Sequence, residues 1–238
     1  MGKKGLRPFK RAAFKKKIIA LVPSAGSGKR FGGGKTFFSF RGKAVLLWAL
    51  EALEGVPEIN GIIPIIKKAE VPAAQKLIDK SRLKKIIAVA AGGKERQDSV
   101  WNGLQMLPPD TDIVLVHDGA RPFAEPAFIS GLIRSLKNFD GVVPGLMPKD
   151  TVKEIDEEGI VCRTLNRASL VAVQTPQVFP YEVICRAYEM AMRAGYYATD
   201  DAALVEAAGG KIKTIPGDPR NIKITAKEDI ITAEGFFK

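Results

Sequence analysis

Cysteine, histidine and long apolar runs are nearly missing from this 238-residue chain, and each scarcity removes a class of function. The two cysteines, Cys162 and Cys185, lie far apart with no ligand-spaced histidine, which excludes a disulfide framework or a zinc site. The one histidine, His117, sits between Val116 and Asp118 and reads as structural. No stretch approaches the ~18 apolar residues of a membrane span, and the N-terminus lacks the apolar core of a signal peptide. The chain therefore reads as cytoplasmic, with no membrane partner. Acid is absent from residues 1–17, which hold eight of the 37 Lys/Arg and leave 29 against 26 Asp/Glu. The +11 net charge thus sits mostly in a tail, residues 1–16, which reads as a flexible, solvated start rather than a nucleic-acid surface.

What is present is a glycine-rich turn. Pro23 to Lys35 reads PSAGSGKRFGGGK and follows the apolar run Ile18 to Val22. Glycines let backbone N–H groups crowd an anion, and Lys29, Arg30 and Lys35 add charge where a polyphosphate would lie. The known phosphate signatures do not fit. For GxxxxGK[ST], ending at Gly34-Lys35-Thr36 puts Lys29 at the first glycine, and ending at Gly28-Lys29 puts Pro23 there. For GxGxxG, the third glycine falls on Phe31 or on Phe37. A nucleotide site is indicated, but neither a P-loop kinase nor an NAD enzyme.

Downstream, strand and helix patterns alternate. Helices are expected over Val45 to Leu53, Val71 to Ile78, Arg96 to Met106 and Pro126 to Leu136, and strands over Ile59 to Ile66, Lys85 to Ala91, Asp112 to His117 and Gly141 to Leu146. Pro64 argues for an edge strand or a bulge. This order implies an α/β, doubly wound parallel sheet, with ligands outside the carboxyl ends of the strands. The pattern breaks at Lys149. Thr151 to Ile155 and Ile160 to Leu165 read as an antiparallel hairpin with little to pack on, expected to be an arm that pairs with a second subunit. Parallel alternation is expected to resume at Leu170 to Val173, with helices from Tyr181 and Asp200, a strand at Lys211 to Ile215 and a closing helix from Ala226. Thr199 is the expected N-cap of the second of these helices.

Eight ordered blocks carry a family resemblance: Pro23 to Arg30, Gly93 to Val100, Val116 to Pro122, Lys149-Asp150-Thr151, Asn166-Arg167, Gln174 to Gln177, Thr199 to Ala202 and Asn221 to Thr225. Over Lys17 to the C-terminus the chain resembles the 2-C-methyl-D-erythritol 4-phosphate cytidylyltransferases of non-mevalonate isoprenoid synthesis. The resemblance implies a Rossmann-like, mostly parallel nucleotidyltransferase sheet in one domain, residues 17–238, with a dimerisation arm near 149–168. It implies CMP transfer from CTP to the polyol phosphate, with release of pyrophosphate. A cytidylyltransferase acting on another polyol phosphate, such as ribitol 5-phosphate, is the nearest alternative.

The family's residues carry over position by position. Arg30, Lys35 and Lys223 would act on the triphosphate as catalytic cations. Ser24, Ala25, Gly26 and Gly28, with Gly93 and Ser99, would hold the nucleotide. Asp118, Arg121, Thr175 and Thr199 would bind the acceptor, with Thr151 and Arg167 reaching in from the partner of a homodimer. Mg²⁺ is the implied cofactor, held mainly by CTP phosphates with Asp118 nearby and no certain protein ligand. Arg96 is expected either to pair with Glu95 or to touch ligand.

Overall fold

A computed structural model describes residues 16–26 and 28–237; the expected basic tail lies outside them but for Lys16. The first strand, β1 (Ile18–Pro23), is buried along its whole length, as a continuous apolar run in a doubly covered sheet should be. The chain then crosses the glycine loop and a small hairpin, β2 (Ser39–Phe40) with β3 (Lys43–Ala44), into helix α1 (Val45–Glu54). There follow β4 (Ile59–Ile66), α2 (Val71–Asp79), β5 (Ala90–Ala91), α3 (Arg96–Leu104), β6 (Ile113–Val116), α4 (Pro126–Ser135) and β7 (Gly141–Leu146). The hairpin β8 (Lys153–Ile155) and β9 (Val161–Thr164) comes next, then β10 (Ala172–Val173), β11 (Gln177–Pro180), α5 (Tyr181–Ala194), α6 (Asp201–Ala207), β12 (Ile212–Pro216) and α7 (Glu228–Glu234).

In the main sheet β1 runs parallel to β4 and β6, β4 to β5, and β12 to β7. Side chains of a strand alternate between faces, and β1 divides the core accordingly. Ile18, Ala20 and Val22 join Leu46, Leu50 and Ile129 from α1 and α4. Ile19 and Leu21 join Val100, Leu104 and Tyr188 from α3 and α5. The mostly parallel α/β sheet matches the expectation from sequence.

Three local expectations need correction. Parallel pairing does not resume directly after the arm: β10 is antiparallel to β7, and β11 runs antiparallel between β6 and β7. Second, β4 is no edge strand, but the irregularity Pro64 signalled is present: Ile62 pairs with Ile86 and Ile65 with Ala90, three residues against four, so the strand expected over Lys85 to Ala91 is reduced to one bridge and Ala90–Ala91. Ile62 N–H donates to Lys85 O, and Ile66 O accepts from Gly92 N–H. Pro64 lies between them on the same side, where residues 87–89 bow away and no donor is needed. Third, Thr199 does not cap α6. Asp200 does, its carboxylate accepting Ala203 N–H at 2.9 Å.

The arm stands apart from the core. Every residue of β8 and β9 is exposed, including Ile155 at 59% and Val161 at 53%, and Ile160 between the two strands is exposed at 62%. Its own contacts are polar: Arg163 Nε pairs with Glu154 at 2.6 Å, and Lys153 Nζ donates to Thr164 Oγ1.

Candidate active site

The carboxyl ends of β1, β5 and β6 open onto one cleft of about 730 Å³. Its lining includes Ser24, Ala25, Gly26, Gly28, Arg30, Lys35, Gly93, Ser99, Asp118 and Lys223, so ten predicted residues, nine from four separate blocks and Lys35 from the glycine loop, meet there. Two contacts explain the shape of the floor. A Cβ on Gly92 would lie 2.2 Å from the Ala25 methyl, and one on Gly119 would lie 2.0 Å from Ser24 Oγ. These glycines let the segments that leave β5 and β6 approach the one that leaves β1 closely. On the loop itself Gly28, Gly32, Gly33 and Gly34 all have positive φ, between 62° and 89°, a conformation other residues enter at a cost. That explains a three-glycine run which no phosphate signature required.

Several main-chain groups expected to face a ligand are already paired. Ser24 N–H donates to Ile65 O at 2.8 Å, and Ser24 O accepts from Thr36 Oγ1 at 3.1 Å. Gly93 N–H donates to Ser99 Oγ at 3.1 Å, and that hydroxyl donates to Glu95 O. Ser99 thereby shapes the turn at Gly93. Glu95 does not pair with Arg96. It caps α3 in a reciprocal box with Asp98, whose carboxylate accepts Glu95 N–H at 2.9 Å.

Arg96 instead bridges two carboxylates: its Nε donates to Asp118 Oδ1 at 3.1 Å and its Nη2 to Asp201 Oδ2 at 2.7 Å. Asp201 is fully buried and also accepts the Tyr188 hydroxyl. Asp118 Oδ2 meets Lys223 Nζ at 2.7 Å. Burial alone would raise the Asp118 carboxyl, but Arg96, Lys223 and Arg121 outweigh it and hold it well below the usual carboxylate range. The cations are in the opposite position. Burial, then Lys223 and Arg30, push the Lys35 ammonium down, against a pull from Asp118. Burial likewise pushes Arg121 down, with Arg96 adding to it. Lys35, Arg96, Arg121 and Lys223 thus gather at one carboxylate, with Arg30 beside Lys35, and the like charges repel, an arrangement an incoming polyanion would relieve.

The segment carrying Lys223 is fixed by Asp229, whose Oδ2 accepts from Thr225 N–H at 2.6 Å, Thr225 Oγ1 at 2.8 Å and Ala226 N–H at 2.8 Å. Arg121 Nη1 donates to the Asn221 carbonyl at 2.7 Å, while its buried Nε has no partner among the described residues. Thr175 lies beneath the cleft and accepts the Asp118 N–H at 3.0 Å. Thr199 is exposed ahead of α6, and Thr151 and Arg167 are exposed beside the arm, where Arg167 Nη1 donates to Lys149 O at 2.5 Å. Among the described residues no group of three or more His, Cys, Asp or Glu could hold a metal ion.

His117 is structural, as its sequence context indicates. Its Nδ1 lies 3.3 Å from Thr175 Oγ1 and its Nε2 lies 2.9 Å from Arg121 O. Burial pushes its pKa from 6.5 down to about 4, so the ring is neutral. Below 6.5 the unfolded chain takes up a proton that the folded protein refuses until about 4. Stability from this group is therefore complete above 6.5 and falls by about 3 kcal/mol as pH drops through that window. Thermal melts from pH 7 to 4 should show this slope, and His117→Gln should flatten it; an unchanged slope in that variant would assign the acid loss elsewhere.

Sequence reasoning missed Asp201 and Asp229 as members of this network. The Asp200-Asp201 pair signalled a helix start, but nothing local reveals that the second carboxylate turns inward to Arg96.

Comparisons with known proteins agree with this geometry. Residues 18–238 match the family model described as 2-C-methyl-D-erythritol 4-phosphate cytidylyltransferase. The enzyme of that name from Desulforamulus reducens is 44% identical over 224 residues, covering 93% of this chain and 96% of the relative. That from Geobacillus thermodenitrificans is 42% identical over 220 residues, covering 91% and 95%. The crystal structure of 4-diphosphocytidyl-2C-methyl-D-erythritol synthase from Anaerococcus prevotii superposes with a TM-score of 0.83 at 34% identity, covering 94% of this chain and 99% of that one. The 2-C-methyl-D-erythritol 4-phosphate cytidylyltransferase of Thermus thermophilus gives 0.76 at 28% identity, covering 92% and 97%.

Proposed function

The chain belongs to the 2-C-methyl-D-erythritol 4-phosphate cytidylyltransferase family, and from that premise we infer how its cleft transfers CMP from CTP to 2-C-methyl-D-erythritol 4-phosphate. A phosphate oxygen of the acceptor bonds to the α-phosphorus of CTP, the bond to the bridging oxygen breaks, and pyrophosphate leaves. The product, 4-diphosphocytidyl-2-C-methyl-D-erythritol, belongs to non-mevalonate isoprenoid synthesis. The acceptor phosphate is already ionised at neutral pH, so the reaction needs no general base, consistent with a buried, neutral His117. The difficulty is bringing two anions together, and fixed cations are the remedy.

The observation that carries the reading is the ring of mutually repelling cations around one cleft at the strand ends. Arg30 and Lys35 lie beside the glycine turn and would take the β- and γ-phosphates. Lys223 would leave Asp118 for the α-phosphate as charge concentrates there. Ala25, Gly26, Gly28 and the Gly93 carbonyl are suited to the base and ribose, since Ser24 and the Gly93 N–H are engaged within the protein. Asp118 would turn to the acceptor hydroxyls once Lys223 is drawn away, with Arg121, Thr175 and Thr199 bounding the acceptor.

Mg²⁺ fits as an ion that enters with the nucleotide. Of the carboxylates lining the cleft, Asp118 is paired with Arg96 and Lys223, and Glu95 caps α3. Triphosphate oxygens would supply most of its ligands, with Asp118 as the nearest protein oxygen. When bound, the ion neutralises phosphate charge alongside the lysines.

Residues 17–238 would act as one catalytic unit in the cytoplasm, and the arm would pair two copies into a homodimer. The exposed Ile155, Ile160 and Val161 favour such a contact. Thr151 and Arg167 would then grip the acceptor phosphate in the partner's cleft. Arg167→Ala should raise the acceptor KM about tenfold or more, as expected for one charge-assisted contact, with the CTP KM nearly unchanged. Equal changes in both would count against the cross-subunit grip. The reaction itself is tested by pyrophosphate release from CTP with each acceptor in turn; release only with ribitol 5-phosphate would overturn the assigned acceptor.

A further inference from the structure

The two cation-bearing segments of the cleft, residues 30–35 and 223, are far apart in sequence yet share one buried cluster. Phe31, next to Arg30, and Ile224, next to Lys223, pack with Phe40, Val45 and Ala233. Val45 also lines the cleft, and its N–H donates to Phe38 O at 3.0 Å. The cluster is closed by the end of the chain. The Phe237 ring lies 5.8 Å from Phe40, 5.6 Å from Trp48 and 6.0 Å from Phe123, and Phe236 lies 5.4 Å from Phe123.

Cations hold this end from outside. The Arg41 guanidinium sits 4.6 Å over the Phe237 ring while pairing with Glu234 at 2.8 Å, and Arg220 sits 5.6 Å over Phe236. Trp48 is tied in by an indole N–H to the Phe40 carbonyl at 3.1 Å. Phe237 keeps 40% of its surface exposed, so it is a lid on the cluster rather than its centre. Its contacts reach Phe40 and Trp48 at the base of the glycine loop and, through Phe123 and α7, the segment holding Lys223.

We propose that Phe237, with Phe236, is a positioning residue for the nucleotide cations: the C-terminal aromatic pair sets the spacing between the Arg30–Lys35 loop and Lys223. Edge-to-face aromatic contacts are directional, so the pair fixes a geometry as well as filling a volume. The four left-handed glycines of the loop cannot supply that definition themselves. The cluster borders the triphosphate segments on both sides, through Phe31 and Ile224, and the acceptor side only through Phe123, two residues after Arg121, so the larger effect falls on the nucleotide. This inference rests on the assignment of the cleft to CTP.

The test is steady-state kinetics of the full chain with CTP and 2-C-methyl-D-erythritol 4-phosphate varied separately. Turnover by the unmodified chain reports on the reaction, whereas the ratio of the two KM values reports on the aromatic pair. Phe237→Ala should raise the CTP KM five- to tenfold and leave the acceptor KM within twofold, and Phe237→Tyr should return the CTP KM to within twofold of the parent. If the alanine variant is insoluble, Phe237→Leu is measured against the same criteria. A CTP KM that does not move, a parallel rise in both KM values, or a defect that persists in Phe237→Tyr would each overturn the proposal.

Discussion

Replacing Lys223 with alanine is expected to lower turnover by about 10²–10³-fold, the usual consequence of removing one preorganised charge from a transition state. The folded protein should survive the change. The Lys223 side chain is 39% exposed, and Asp118 keeps its second partner, Arg96 Nε at 3.1 Å. The melting temperature should therefore move little while kcat collapses. Binding of CTP should weaken far less than turnover, because Arg30 and Lys35 remain. Lys223→Arg should recover only part of the rate, since a planar guanidinium cannot reproduce a compact ammonium between Asp118 and a phosphate. Near-parental turnover in Lys223→Ala would remove this residue from the chemistry.

Arg96→Ala should act on the fold instead. Removing one member of a buried ion pair leaves the other charged and unsolvated, at about 3–5 kcal/mol. Here the abandoned group is Asp201, with no exposed surface, and Asp118 loses a partner in the same step. At about 2–4 °C per kcal/mol for a domain of this size, the melting temperature should fall by on the order of 10 °C. Combining the change with Asp201→Asn removes the stranded charge and should restore much of the loss. A single variant that melts within about 2 °C of the parent would mean Asp201 is stabilised by something other than Arg96.

The parallel core and the cleft were legible because their signals are local. Apolar runs such as Ile18 to Val22 and Ile59 to Ile66 mark strands covered on both faces, and the blocks that follow them meet at one sheet edge. Strand β11 was not legible. Gln177 to Pro180 holds two apolar residues between a glutamine and a proline, and is a strand only because β6 and β7 pair with it on either side. The partner of Arg96 was hidden for a related reason. Sequence puts Glu95 beside it, but the capping box claims that carboxylate and leaves Arg96 for an aspartate 105 residues away. Short-range chemistry can be read along a chain; choices among distant partners depend on which groups the backbone has already used.

The close approaches on the cleft floor bear on how such a site can diverge. Gly119 and Ser24, at 2.0 Å between a virtual Cβ and a real hydroxyl, do not vary independently, and Gly92 with Ala25 at 2.2 Å is the same case. A larger residue at either glycine needs a smaller one opposite, so each pair drifts as a unit or stays fixed. The end of β1 is thereby bound, through side chains that are missing, to the end of β6 beside it and to the end of β5 one strand further on. A change of substrate preference that reshapes this floor therefore takes two substitutions at once rather than one.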